Sequence, residues 1–141
     1  MKKLSFCMVL LTCSLLIACG KGDQINGHNT KTAYRSVKAL KNRLPANSRI
    51  EFEVAFWAIR DANKDDSQFL DAVDGKKPEE IIGLGKEIYQ KRKDEGFAAY
   101  SQYKNWEDMI SKFSAERDEQ DIKGKKKEDA KDKANDVLYK L

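Results

Sequence analysis

Side chains that carry chemistry are scarce in this sequence. Its three cysteines stand at positions 7, 13 and 19, with none beyond, and histidine occurs once, at His28. There is no Gly-x-Ser-x-Gly turn and no glycine-rich phosphate loop. Thiol, imidazole and phosphate-cradling chemistry therefore have no constellation to build on. The sequence implies no enzyme, no cofactor and no metal. A carboxylate-pair hydrolase is the one enzyme class that spacing alone does not address, because paired acids reveal themselves by geometry. Proline occurs only at Pro45 and Pro78. No apolar run reaches the roughly 20 residues needed to span a bilayer.

The longest apolar run, Leu4–Ile17, follows Lys2 and Lys3 and has the layout of a secretory leader. Leu16-Ile17-Ala18-Cys19 closes it. This ending resembles the lipobox of bacterial lipoproteins, in which the cysteine thiol is acylated and the chain is cut just before it. The resemblance implies residues 1–18 as a signal peptide and Cys19 as the lipidation site, with the bilayer as first partner. Two or three acyl chains anchor stably where a single chain is marginal. Gly20 replaces the aspartate that resembles an inner-membrane retention signal in enteric bacteria. That implies an outer-membrane anchor facing the periplasm, with the inner membrane's outer leaflet or the cell surface as alternatives.

Removing residues 1–18 from 141 leaves 123, enough for one domain and a tether. Two lysines leave with the leader, so the basic count falls from 27 to 25 against 23 acids, a formal +2. Near-neutral charge and an envelope address both argue against nucleic acid as a partner. With Cys19 acylated, no thiol is left for a disulfide, and stability must come from the core.

Residues 19–29, with three glycines and little to bury, read as a flexible tether holding His28. Ala33, Val37, Leu40 and Leu44 then form one helical stripe after a cap at Asn29 or Thr30. Pro45 ends it. Ser48-x-x-Glu51 has capping-box spacing and is expected to open a second helix to Asp61 or Ala62. Its apolar arc is wide and places Trp57 in the core. Asp61-Ala62-Asn63-Lys64-Asp65-Asp66-Ser67 begins like a calcium loop, but Asp66 and Ala72 stand where the turn glycine and bidentate glutamate belong. A polar turn and a short third helix, capped by Asp66 or Ser67 and burying Phe69, Leu70 and Val73, is the better reading.

Asp74-Gly75 makes a turn, Pro78 suits a first helical position, and Glu79 and Glu80 complement the helix dipole. The anchor cysteine, two amphipathic helices and the pattern D-G-K-x-x-E-E-I-I at Asp74–Ile82 together resemble a family of small helical Gram-negative lipoproteins. The likeness covers about residues 16–95 and supplies no activity. Lys77 stands where that pattern has a small hydroxyl cap.

Lys91-Arg92-Lys93 before Gly96 looks like a helix C-terminus, yet Ile88 and Trp106 are five whole turns apart at 3.6 residues per turn. The phase favours one long helix, kinked at Gly96. Glu116 to Lys140 holds eight acids and eight bases and reads as a solvated helix or tail.

The expected fold is all-α: a small three- to four-helix bundle with a long C-terminal helix, after a cleaved signal and tether. Residues 30–114 make the helical domain and 115–141 the charged end. The expected role is a non-catalytic protein-interaction module of the cell envelope. It would bind an envelope protein through Tyr100, Tyr103, Trp106, Ile110 and Phe113, whose apolar area exceeds one helix's packing need. An inhibitor or immunity lipoprotein neutralising a hydrolase or toxin is one alternative, and a passive spacer the other.

Overall fold

The computed structural model describes the backbone of residues 22–138 and the side chains of residues 22–128. Six helices and no strand occur among them. The fold is a small all-α bundle with a long C-terminal helix, as the repeated 3.6-residue stripes require. The chain divides into two units, one ending at Ile88 and the other beginning at Tyr89.

In the first unit, α1 (Thr30–Arg43) starts at Asn29, whose side chain accepts from the Thr32 amide at 2.9 Å. Thr32 Oγ1 in turn accepts from the Asn29 amide at 3.1 Å. Ala33, Val37 and Leu40 of the expected stripe are buried, while its fourth member, Leu44, is half-buried at the C-cap. Helix α2 (Ala46–Ala62) begins earlier than the Ser48-x-x-Glu51 box would place it. The Pro45 carbonyl accepts from the Ser48 and Arg49 amides at 3.0 and 3.2 Å, so the backbone starts the helix without a side-chain cap. Glu51 pairs instead with Lys86 at 3.1 Å.

Phe52, Ala55, Phe56, Ala58 and Ile59 of α2 fill the core. Trp57 does not. It is 52 % exposed, because the buried arc ends at Phe56 and the next residue projects about 100° further round the helix. Helix α3 (Asp66–Val73) is capped by Asp65, one position before the expected cap, with its carboxylate accepting from the Gln68 amide at 3.0 Å. Phe69 and Val73 are fully buried and Leu70 is half-buried.

Residues 23–29 are not a loose tether. Ile25 is 2 % exposed and is bonded on both sides. Its amide donates to the Lys76 carbonyl and its carbonyl accepts from Gly75, both at 2.9 Å. The Gly27 amide reaches Asp74 Oδ1 at 2.6 Å. Gly75 turns the chain with φ of 69°, a conformation glycine adopts at no steric cost. A single isoleucine among polar residues is thus enough to dock the segment.

Helix α4 (Pro78–Asp94) follows. Lys77 has no side-chain acceptor, but its amide donates to Glu80 Oε2 at 2.9 Å, which supplies half of a capping box. Helix α4 approaches α2 closely at Gly85. A methyl group there would lie 2.5 Å from the Ala55 Cβ.

The helix does not continue through Gly96, contrary to the phase argument. The Phe97 amide donates to the Arg92 carbonyl and the Gly96 amide to Lys93, both at 3.0 Å, with Gly96 at φ 78°. This is a Schellman ending, and the Arg92 guanidinium lies over the Phe97 ring at 4.2 Å. The local stop signal outweighs an eighteen-residue coincidence of phase.

The second unit holds the last turns of α4, the short α5 (Ala98–Ser101) and α6 (Trp106–Leu138). Tyr89 packs edge-on to Tyr100 and Trp106, with centroids 6.1 and 5.7 Å away. Met109 is buried too. Lys93 Nζ donates to the Tyr103 carbonyl at 2.8 Å and also to the Lys104 carbonyl, tying α4 to the loop before α6. No break falls at residue 114. Helix α6 runs on, and from Ala115 to Glu128 every residue is exposed.

Candidate functional site

Among the described residues the exposed aromatic groups are Tyr34 and Trp57 in the first unit and Phe97 and Phe113 in the second. In the second unit the five residues expected to form one binding face divide between core and surface. Tyr100 and Trp106 are 8 % and 5 % exposed and support the unit from within. Tyr103 and Ile110 are half-buried, and Phe113 is 38 % exposed. The Tyr103 and Phe113 rings meet at 6.2 Å, and Lys112 Nζ lies 5.1 Å over Tyr103. A smaller patch of Tyr103, Ile110 and Phe113 therefore faces outward.

The start of α6 holds this patch in place. Asn105 Oδ1 accepts from the Asp108 amide at 2.8 Å, and Asp108 Oδ2 accepts from the Lys104 amide at 3.0 Å. Asp108 also pairs with Lys112 at 3.1 Å. The Lys104 backbone bond, then the Lys112 side-chain bond, hold the Asp108 carboxyl below its ordinary pKa.

The first unit carries a groove of about 390 Å³ between α1 and α2, at the small end of ligand-site volumes. Tyr34 and Trp57 stack on its rim with centroids 5.7 Å apart and planes 28° from parallel. Phe56 meets both rings edge-on. Lys41 and Glu53, paired at 3.1 Å, close one side, and Lys38 and Asn42 line the rest. Chemically the groove offers an apolar floor, two aromatic faces and a cationic edge.

Sequence reasoning passes over this site. Tyr34 and Trp57 each follow a buried residue, Ala33 and Phe56, and so read as extensions of the core. The readable signal is two aromatic residues one step off their stripes, on the same flank of neighbouring helices.

The acids of the calcium-like stretch are each engaged within the fold. Asp61 pairs with Lys64 at 2.5 Å, Asp65 caps α3, and Asp66 meets Arg60 at 2.6 Å. Among the described residues no group of three or more potential ligands could hold a metal ion. None of their helices is long and apolar enough to cross a membrane. His28 lies exposed in the docked N-terminal segment, its amide donating to Asn26 Oδ1 at 3.0 Å. Cys19 and the leader lie outside the described residues.

No family model matches this chain, and no curated protein or solved structure matches it either.

Proposed function

We propose that this chain is a lipid-anchored, periplasm-facing interaction module of a bacterial envelope, acylated at Cys19 and binding an envelope protein without catalysing a reaction. The anchor half of this reading rests on Leu16-Ile17-Ala18-Cys19 after a short apolar leader. One observation carries the binding half: Phe113 stays exposed on α6, backed by Tyr103 and flanked by half-buried Ile110. Aromatic side chains held by packing lose little entropy on contact and dominate interface energetics.

Placing a photo-cross-linking amino acid at position 113 in cells tests this. The expected outcome is one discrete adduct with an envelope protein, absent when the label sits at exposed Asp118 and lost in a Tyr103→Ala background. Identification of the adduct as a hydrolase or toxin would make the module an inhibitor. A smear equal at both positions would remove the binding half. Metabolic labelling with palmitate, lost in Cys19→Ser, tests the anchor half separately.

A further inference from the structure

Helix α1 contributes five basic residues and no acidic one. Two of the five have partners in the fold: Lys41 pairs with Glu53, and Arg43 donates to the Gly22 carbonyl. Lys31, Arg35 and Lys38 are exposed, and no ion pair reaches them among the described residues. Their spacing of four and three puts them on one outward stripe. Tyr34, 36 % exposed, and Trp57, 52 % exposed, stand beside that stripe.

An indole and a phenol next to unpaired cations match the layered chemistry of a bilayer surface. Aromatic rings settle at the headgroup level, and lysines are drawn to anionic headgroups. An acidic protein segment would satisfy the same charges, so the choice turns on where the chain emerges. Gly22 is held by Arg43, the residue after groove-lining Asn42. Cys19 precedes Gly22 by three residues, which span at most about 10 Å. That is roughly one helix diameter. An anchor at Cys19 therefore keeps the last turn of α1, and the groove end beside it, next to the lipid.

The geometry points to α1 as a membrane-docking helix: Lys31, Arg35 and Lys38 engage anionic phospholipid headgroups while Tyr34 and Trp57 enter the interfacial layer. This rests on acylation at Cys19.

The test uses the acylated chain, purified from a bacterial envelope and reconstituted into vesicles carrying brominated lipid. One set is phosphatidylcholine alone, and the other is equal parts phosphatidylcholine and phosphatidylglycerol. Trp57 fluorescence should be quenched in the anionic set, with raised salt reversing the effect. Trp57→Phe should remove most of the quenching, because Trp106 is only 5 % exposed. Each cation counts for about a fivefold shift in the docked-to-undocked ratio. The Lys31→Glu/Lys38→Glu double variant should therefore fall to the phosphatidylcholine level with its helical signal intact.

Quenching that is absent, or equal in both sets and blind to the double variant, overturns docking, even while the chain still floats with vesicles. Cross-linking from position 38 to an acidic envelope protein, with Trp57 unquenched, gives the face to that protein and overturns docking too. Failure to float with either set removes the anchor, and the inference with it.

Discussion

Two glycines on α4, two residues apart, meet opposite surroundings. Gly85 faces α2, where an added Cβ would sit 2.5 Å from the Ala55 Cβ and 2.6 Å from its Cα. Backbone atoms cannot swing aside as a flexible side-chain end would, so the helices must separate. Gly83 has nothing within 4 Å of the same hypothetical atom. Within a helix the unfolded-state entropy of glycine then dominates. Gly85→Ala should lower stability by about 1–3 kcal/mol through overpacking. Gly83→Ala should raise it by about 0.5–1 kcal/mol. Chemical denaturation of both variants reads the two signs. A shared sign, in either direction, would mean that the close approach of α4 to α2 at Ala55 is not what sets the cost.

At the scale of elements, what could be read from the sequence depended on whether a signal was local. The α1 stripe of Ala33, Val37 and Leu40, its Asn29 cap and the Pro78 start of α4 all came from neighbours within a turn or two, and those elements stand as expected. The α4 ending failed for an instructive reason. Lys91-Arg92-Lys93 and Gly96 signal a stop, and the long-range phase between Ile88 and Trp106 points the other way. Phase needs only a coincidence of spacing, whereas the ending closes two backbone bonds onto Arg92 and Lys93. The outward aromatic patch of α6 and the loop before it was half legible for a related reason. Composition reveals excess aromatic area around residues 100–113, but a helix break at Gly96 is what lets Tyr89 cover Tyr100 and Trp106. The start of α6 is held by Asn105 and Asp108, and this gives it a pH signature. Backbone donation from Lys104 and the Lys112 ammonium lower the Asp108 pKa below its ordinary 3.8. A carboxyl whose folded pKa is depressed adds stability above its unfolded pKa and loses it as pH falls through the folded one. Wild type should therefore exceed Asp108→Asn in thermal midpoint near neutrality, and the gap should close in acid, below the ordinary value. A gap that persists unchanged in acid would show that hydrogen-bond geometry, rather than charge, holds the helix start.

The described chain divides into two units, each with an aromatic core of its own, and a tryptophan stands in each, Trp57 exposed in the first and Trp106 buried in the second. The first unit draws on three helices, Ile25 of the docked N-terminal segment and the first part of α4, and its largest fully buried side chains are Phe52, Phe56 and Phe69. The second rests on Tyr89, Tyr100, Trp106 and Met109, while α6 from Ala115 to Glu128 is exposed and adds nothing to that core. A unit of that size holds only about 3–8 kcal/mol in total at typical densities of stability. Removing a buried tryptophan side chain costs about 3–5 kcal/mol. Trp106→Ala should therefore take the second unit to the edge of unfolding and leave the first intact. Hydrogen exchange separates the two, because amides within α1 and α2 report one core and those of residues 106–113 the other. The expected result is protection lost over 106–113 and retained over 33–40 and 52–59. Simultaneous loss in both would mean that the helix shared by the units, α4, transmits unfolding from one core to the other. Retention in both would mean that Tyr89 and Tyr100 close over the cavity, and that the outward patch of Tyr103 and Phe113 can be dissected without the indole beneath it.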